Sequence, residues 1–187
     1  KDAYIRKDYK TAYKLLLPLA EQGEVVAQYR LGVMYRKGLG VPQDDKEAIK
    51  WYRLAAEQGH PEAQYQVGWM HYNGKGVPQD DKEAIKWYRL AAEQGDALAQ
   101  GNLGWMYQNG EGVTQDNKEA IKWYRLAADQ GDADAQKLLD ELIKKKAQEK
   151  KSSTVKGAAD DLRKGIYALI LRDYKKAYKL LLPLAEQ

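Results

Sequence analysis

Apolar and small residues recur along this chain at helical spacing, and the whole pattern returns every 36 residues. In each unit, one apolar stripe precedes a glycine-containing loop and a second stripe follows it. Spacings of three and four residues place such side chains on one face of a helix. Each unit is therefore predicted to be a helical hairpin, with helix A before the loop and helix B after it. The predicted buried positions of the first unit are Ala27, Leu31, Met34 and Tyr35 on helix A and Ala48, Trp51, Tyr52, Ala55 and Ala56 on helix B.

Glycine and aspartate mark the predicted ends of these helices. Gly38 follows helix A, at the point where a left-handed residue commonly terminates a helix. Asp44 precedes helix B and can cap its free amide groups, and Glu47 three residues later has the spacing of a capping box. Asp96 and Asp132 are expected to cap later A helices. A fixed repeat of this size is typical of a solenoid, in which each hairpin buries its apolar face against its neighbours.

The repeat divides the chain into three full units flanked by partial ones. The segment after the third unit begins as another helix A and then shows one apolar stripe with a charged opposite face, as expected of a terminal cap. The predicted segments are 1–23 (leader half-repeat), 24–59, 60–95 and 96–131 (repeats 1 to 3), 132–150 (capping helix), 151–157 (polar linker) and 158–187 (C-terminal helical hairpin).

The C-terminal hairpin resembles the leader. Residues 173–187 (DYKKAYKLLLPLAEQ) match residues 8–22 (DYKTAYKLLLPLAEQ) at fourteen of fifteen positions. Three arrangements are open: the hairpin docks on the capping helix of its own chain, it packs against another copy of the chain, or the chain is a segment of a longer or fused protein. We favour docking on the same chain or on another copy. The apolar residues that require a partner surface are Leu162, Ile166, Leu169, Ile170 and the run 180–182.

The three full units carry a family resemblance. They read AQYRLGVMYRKGLGVPQDDKEAIKWYRLAAEQG, AQYQVGWMHYNGKGVPQDDKEAIKWYRLAAEQG and AQGNLGWMYQNGEGVTQDNKEAIKWYRLAADQG. These words resemble Sel-like (Sel-1-type) repeats, a branch of the tetratricopeptide-like repeats, over about residues 8–149. The resemblance implies an all-α, right-handed superhelical solenoid that serves as a protein-interaction scaffold, often in bacteria. It also favours the periplasm over the cytoplasm without deciding between them, and it names no partner.

Charge and hydropathy narrow the classes of partner. The net charge is +4, and its excess lies mainly in residues 144–151 (KKKAQEKK). Nucleic-acid contacts need basic groups spread over a face, preferably with aromatic rings, so this cluster at one helix end does not predict nucleic-acid binding. No apolar run approaches the roughly 18 residues of a membrane-spanning helix, so no membrane insertion is expected.

Candidate catalytic and metal-binding residues are few. Ser153 and Lys156 have the S-x-x-K spacing of penicillin-recognising enzymes, but the companion S-D-N and K-T-G motifs are absent. His60 and His71 are eleven residues apart in a chain without cysteine, which is a poor ligand set for a metal. The acidic pairs such as Asp44 and Asp45 lack the alternating pattern of a calcium loop. The sequence therefore predicts no catalytic residues, no metal and no cofactor.

A candidate binding surface emerges from the positions that differ between units. Positions that repeat serve the stacking of hairpins, whereas the variable positions on helix A are free of that requirement. Their spacing places them on one side of helix A, and the resemblance implies that this side faces a concave groove. Aromatic residues and arginine carry much of the energy of protein interfaces. The predicted partner-binding residues are Tyr29, Val33, Arg36, Tyr65, Trp69, Tyr72, Asn102, Trp105 and Gln108.

The sequence thus favours a non-enzymatic scaffold that holds a protein or peptide segment in this groove. One alternative is an assembly module that self-associates through the 158–187 hairpin. A second is a cell-wall-associated hydrolase or penicillin-binding activity, which rests on the single S-x-x-K match.

Overall fold

The computed structural model describes the backbone of residues 8–185 and the side chains of residues 8–172 and 175. Residues 1–7 of the predicted leader and the apolar run 180–182 lie outside the described side chains. Within the described backbone every element of secondary structure is a helix, and the first seven helices pack mainly on their neighbours in the chain, which confirms an all-α solenoid. The helices are α1 (Tyr9–Glu21), α2 (Val25–Lys37), α3 (Asp45–Glu57), α4 (Pro61–Asn73), α5 (Asp81–Glu93), α6 (Ala97–Asn109), α7 (Asn117–Asp129) and α8 (Ala133–Ala185).

The ends of the helices lie where glycine and aspartate predict them. Gly38 ends α2 in the left-handed conformation, with φ of 66°. The Asp44 carboxylate accepts hydrogen bonds from the amides of Lys46 and Glu47 and so caps α3. Only this half of the predicted capping box forms. The amide of Asp44 donates to the carbonyl of Tyr35 instead, and the Glu47 side chain pairs with Lys50.

The hydrophobic core is built across the boundaries between repeats. One cluster joins the alanines of α3 to Ala63, Val67 and Met70 of α4, and Trp87 of α5 packs against it. The next cluster joins α5 to α6 in the same way and includes Trp123 of α7. A single hairpin therefore leaves much of its apolar surface uncovered until its neighbour is added.

Most of the predicted core positions are buried, including Ala27, Leu31 and Met34. Tyr35 and Trp51 are exceptions, since both are only half-buried. The Tyr35 hydroxyl lies 2.9 Å from that of Tyr13, so its polar end has a partner at the edge of the core. Amphipathic rings of this kind suit a thin solenoid, because their polar ends stay near water while the rings pack.

Within each hairpin, a helical glycine allows helices A and B to come close together. A Cβ atom added to Gly68 of α4 would lie 2.8 Å from Cδ1 of Tyr88, a buried residue of α5. The same contact recurs between Gly32 and Tyr52 and between Gly104 and Tyr124, at 2.5 and 2.7 Å. The ring of helix B thus occupies the space that any side chain at the glycine position would need.

Between hairpins, a buried glutamine links three successive helices. The Gln64 amide donates to the carbonyl of Ala56, at the end of the preceding helix B, over 3.1 Å. Its side-chain oxygen accepts a bond of 2.7 Å from Gln94, at the end of the following helix B. Gln28 and Gln100 make equivalent bonds. This ladder satisfies a carbonyl at a helix end, where no intrahelical partner exists.

The C-terminal part differs from the sequence prediction. The predicted linker 151–157 lies inside α8, and the predicted hairpin 158–187 is helical up to residue 185, without a turn in the described part. The linker contains no proline and a single glycine, Gly157, and an isolated helical glycine costs only about 1 kcal/mol. The hydroxyls of Ser153 and Thr154 donate to the carbonyl of Lys150, which is compatible with a helix. The chain divides into two compact units between Asp140 and Glu141.

The contact between Gly68 and Tyr88 predicts an inverted response to alanine. Alanine is usually the better helix residue by about 0.5–1 kcal/mol. At Gly68 the overpacking against the Tyr88 ring should outweigh this gain, and we expect Gly68→Ala to lower the free energy of unfolding by about 1–3 kcal/mol. A Cβ atom added to Gly157 would have no neighbour within 4 Å, so Gly157→Ala is the matched control and should be neutral or stabilising. Urea unfolding measures both, and a Gly68→Ala protein more stable than wild type would contradict the role of this contact.

Candidate functional site

The nine residues predicted to bind a partner lie on the three A helices, α2, α4 and α6. Every one of them is half-buried, which sets them apart from the buried core positions of the same helices. We call this set the helix-A strip. It consists of Tyr29, Val33 and Arg36 on α2, Tyr65, Trp69 and Tyr72 on α4, and Asn102, Trp105 and Gln108 on α6.

Direct contacts join the strip from one repeat to the next. The Arg36 guanidinium lies 4.5 Å from the centre of the Trp69 ring and donates a hydrogen bond to Gln66. One repeat later, the Tyr72 ring meets the Trp105 ring edge to face, with centroids 6.0 Å apart. Both pairs join the same two positions of successive A helices. The strip is thus a continuous surface rather than three separate patches.

The same contacts show that the strip also helps to hold the repeats together. Trp69 packs against the core clusters on both sides of its repeat. A cation over an aromatic face and an edge-to-face ring pair are each worth up to about 1–2 kcal/mol. These side chains therefore pack against the neighbouring repeat and are also partly exposed to solvent.

Hydroxyl and amide groups give the strip its hydrogen-bonding capacity. The Tyr72 hydroxyl lies 3.2 Å from a carboxylate oxygen of Glu111, to which it donates. Gln108 accepts a bond of 2.7 Å from the buried Tyr124 hydroxyl through its side-chain oxygen. Burial raises the pKa of Tyr65, and burial followed by the nearby Glu111 raises that of Tyr72, so both phenols remain neutral donors around neutral pH. Arg36 is the cation of the strip.

The first residue of the strip differs between the repeats. Tyr29 packs on Tyr52 of its own hairpin with ring centroids 5.8 Å apart, and Tyr65 packs on Tyr88 at 5.7 Å. The third repeat has Gly101 at this position, so α6 supplies no ring there.

A cavity of about 330 Å³ lies beside Gly101. Three residues of the helix-A strip, Tyr65, Asn102 and Trp105, line it. Residues around the start of α8 form further walls of the cavity. The sequence predicts this segment only as a capping helix, although the glycine in place of tyrosine is a signal for an open space at this position. The remaining lining residues are Leu98, Tyr124, Asp132, Asp134, Ala135 and Leu138.

The positions considered for catalysis or metal binding have ordinary structural contacts. Ser153 is an exposed residue of α8 whose hydroxyl is engaged with the backbone. His71 is buried, and its Nε2 lies 3.2 Å from the Arg53 guanidinium. Among the residues that the structure describes, no three acidic or histidine side chains converge in a metal-binding group. The helices of the described part also lack the combination of length and hydropathy that a membrane span requires.

The stacked helical hairpins define the chain as a tetratricopeptide-like solenoid, and comparison with known proteins specifies the family. The Sel1 repeat family model matches residues 2–24, 25–60, 61–96, 97–132 and 162–187, which together cover most of the chain. The chain belongs to the Sel1 repeat family. The matched full repeats begin one residue later than the repeats predicted from the sequence, and the match includes the C-terminal segment. Sel1-repeat proteins are generally protein-interaction scaffolds and are typically non-enzymatic.

Solved structures of bacterial proteins are similar to the chain. A protective antigen of uropathogenic Escherichia coli with an SLR fold is 46% identical, with a TM-score of 0.63 over 64% of this chain and 26% of that chain. A Sel1 repeat protein from Oxalobacter formigenes is 39% identical, with a TM-score of 0.71 over 74% and 57% of the two chains. The present chain therefore spans only part of either relative.

A third structure, cysteine-rich protein B of Helicobacter pylori, is 23% identical over 71% of this chain and 95% of that chain. Its TM-score is 0.56, which shows a shared fold alone. No curated protein matches the sequence significantly.

We expect His71 in the second repeat to make the stability of the fold depend on pH. Burial and then the Arg53 charge lower its pKa below the usual 6.5, while Glu83 and Asp80 oppose the shift. The unfolded chain therefore binds the proton more readily, and this contribution to stability is lost as the pH falls through 6.5 towards the lowered pKa of the folded state.

Replacing His71 by tyrosine, the residue at the equivalent positions 35 and 107, should flatten this dependence. The new hydroxyl can accept from Arg53 as that of Tyr107 accepts from Arg89, at 2.6 Å. We expect the stability of His71→Tyr to exceed that of wild type by more at pH 5 than at pH 7.5, as measured by urea unfolding. An equal difference at both pH values would show that His71 does not titrate on unfolding.

Proposed function

We propose that this chain is a non-catalytic scaffold that binds an extended protein segment along the helix-A strip. The observation that carries the proposal is the continuity of the strip: half-exposed side chains from three successive repeats touch one another through the Arg36–Trp69 and Tyr72–Trp105 contacts. An extended segment needs such a continuous surface, because its residues are spread over many ångströms.

The chemistry of the strip supports a peptide ligand. Its rings offer apolar contact area with few rotatable bonds, and its amides and phenols can pair with a peptide backbone. Several of the positions at which the otherwise similar repeats differ also lie on the strip. Different side chains on equivalent positions allow each repeat to contact a different residue of the same segment.

The rings of Trp69 and Trp105 provide the first test. A phage-displayed random peptide library is selected on the wild-type protein, and the enriched peptides are then measured against variants. We expect Trp69→Ala/Trp105→Ala to weaken binding at least about tenfold, because truncated aromatic anchors commonly cost about 2 kcal/mol. Leu54→Ala/Leu90→Ala is the matched control, since these exposed helix-B residues also lie one repeat apart.

Because Trp69 packs against both neighbouring clusters, loss of binding must be separated from loss of fold. The variant Trp69→Phe/Trp105→Phe keeps aromatic packing, and urea unfolding shows which variants remain folded at the assay temperature. Folded variants that bind every selected peptide as tightly as wild type would overturn the proposal. Failure of the wild type to enrich any peptide would overturn it as well.

A second candidate function is self-association, which a separate surface favours. The side chains of Leu162, Ile166, Leu169 and Ile170 on α8 are between 50% and 67% exposed, and an apolar patch on a helix commonly marks an interaction site. Another copy is a suitable partner, because residues 173–187 repeat the sequence of 8–22, and α1 packs on α2 through Ala12 and Ala20. Residues 173–187 of one copy would then replace α1 on the α2 helix of another copy, as in domain swapping.

Light scattering behind a sizing column measures this association. The wild-type mass should rise with concentration above that of the 21.3 kDa chain. Ile166→Asp/Ile170→Asp should return it to the monomer, because a buried carboxylate in the interface would be unpaired. Lys156→Asp, an exposed charge change on the same helix, should leave the association intact. A wild type that stays monomeric at high concentration would exclude this candidate.

A further inference from the structure

The cavity beside Gly101 occupies the place where the first two repeats hold a tyrosine ring. Tyr29 and Tyr65 each cover the helix-B tyrosine of their own hairpin, at centroid distances of 5.8 and 5.7 Å. Tyr124 is the equivalent helix-B tyrosine of the third repeat, and it lies in the wall of the cavity. The first two repeats therefore indicate that a tyrosine ring is the side chain that fits this volume.

The start of α8 does not take the place of the missing ring. A Cβ atom on Gly101 would have Oδ2 of Asp132 as its one close neighbour, at 3.3 Å. Asp96, the first residue of repeat 3, corresponds to Asp132, and it lies close enough to Tyr65 for its charge to help raise the pKa of that phenol, after burial. The two carboxylates cap their helices in the same way, each accepting an amide of the first turn through Oδ1. The site next to Gly101 is thus open to a side chain that approaches from outside.

The walls of the cavity suit an aromatic occupant. Tyr65, Trp105 and Tyr124 contribute rings, and aromatic pairs gain from edge-to-face and offset contacts beyond their buried area. Asn102 and the carboxylate of Asp132 supply polar groups that can accept from a phenol or an indole nitrogen. A pocket that joins apolar walls to a few placed polar groups is typical of a side-chain binding site.

We propose that this cavity is the subsite that receives an aromatic side chain of the bound segment, in the position that Tyr29 and Tyr65 occupy in their own repeats. The inference rests on the proposed function, because it assigns one residue of the segment that the helix-A strip binds. The third repeat then sets the register of the segment along the helix-A strip. In the first two repeats, Tyr29 and Tyr65 of the chain itself fill the equivalent position.

The variant Gly101→Tyr tests the subsite by filling it from within. It should fold as well as wild type, since Tyr65 beside Asp96 is the same arrangement. Peptides selected on wild type should carry Tyr, Phe or Trp at one fixed position, and their affinity for Gly101→Tyr should fall at least about tenfold. Gly157→Tyr is the matched control, because it adds the same side chain to a helical glycine with no atom within 4 Å, and it should bind as wild type does.

A small probe tests the cavity without a selected peptide. N-acetyltyrosinamide at millimolar concentration should shift the indole signal of Trp105 in the NMR spectrum of wild type, and the shift should disappear in Gly101→Tyr. N-acetylleucinamide should cause a much smaller shift. Equal shifts with the two probes, or no shift with N-acetyltyrosinamide, would overturn the aromatic subsite.

The outcomes also separate the subsite from the proposed function. If Gly101→Tyr keeps full affinity for the selected peptides while Trp69→Ala/Trp105→Ala loses it, the subsite is wrong and binding along the strip stands. If the wild type enriches no peptide, binding along the strip is wrong, and the subsite, which depends on it, is wrong with it.

Discussion

The close approach of the two helices in each hairpin is the constraint on which the rest of the structure depends. Gly32, Gly68 and Gly104 carry no side chain because the rings of Tyr52, Tyr88 and Tyr124 already occupy that space. The rings are consequently buried at the centre of each hairpin, where burial raises the pKa of Tyr88 and Tyr124 far above its ordinary value and keeps these phenols protonated. Once this distance is set, the remaining apolar surface of a hairpin points towards its neighbours, and the core has to form between repeats.

Stacking then determines which side chains remain for function. The buried glutamine ladder uses one position of α2, α4 and α6, and small residues such as Ala63 and Ala99 use another. What is left on helix A is a half-buried strip that touches the next repeat on one side and solvent on the other. In a solenoid only two helices thick, the side chains that are accessible to a partner also join the repeats, as the Arg36–Trp69 contact shows.

Much of this architecture could be predicted from the sequence because it rests on local signals that recur. Gly38 marks the end of helix A and Asp44 marks the start of helix B, and the recurrence of both in each unit predicts the number of hairpins. The hydrogen bonds of Gln64 could not be predicted from the sequence. A glutamine that recurs in each repeat indicates that an amide is needed there, but it does not show that the amide connects Ala56 to Gln94. The helix through Ser153 was missed because serine, threonine and glycine favour loops only weakly when lysine and alanine flank them. A partner could not be identified from the sequence, because the strip is defined by its exposure rather than by a motif.

The third repeat shows how a nearly perfect repeat acquires a distinct cavity. A solenoid tolerates the loss of one ring at the strip, because the contact between Gly104 and Tyr124 and the bond from Gln130 to Gln100 both persist there. The change from tyrosine to Gly101 therefore removes one ring from the surface of the hairpin, while these two contacts still hold the third repeat together. A position of this kind is where a repeat protein can gain a pocket at little cost in stability, because each repeat interface contributes separately to the whole. Two residues that line the cavity, Asp132 and Leu138, come from the next helix and its cap, so this cavity depends on the helix that follows.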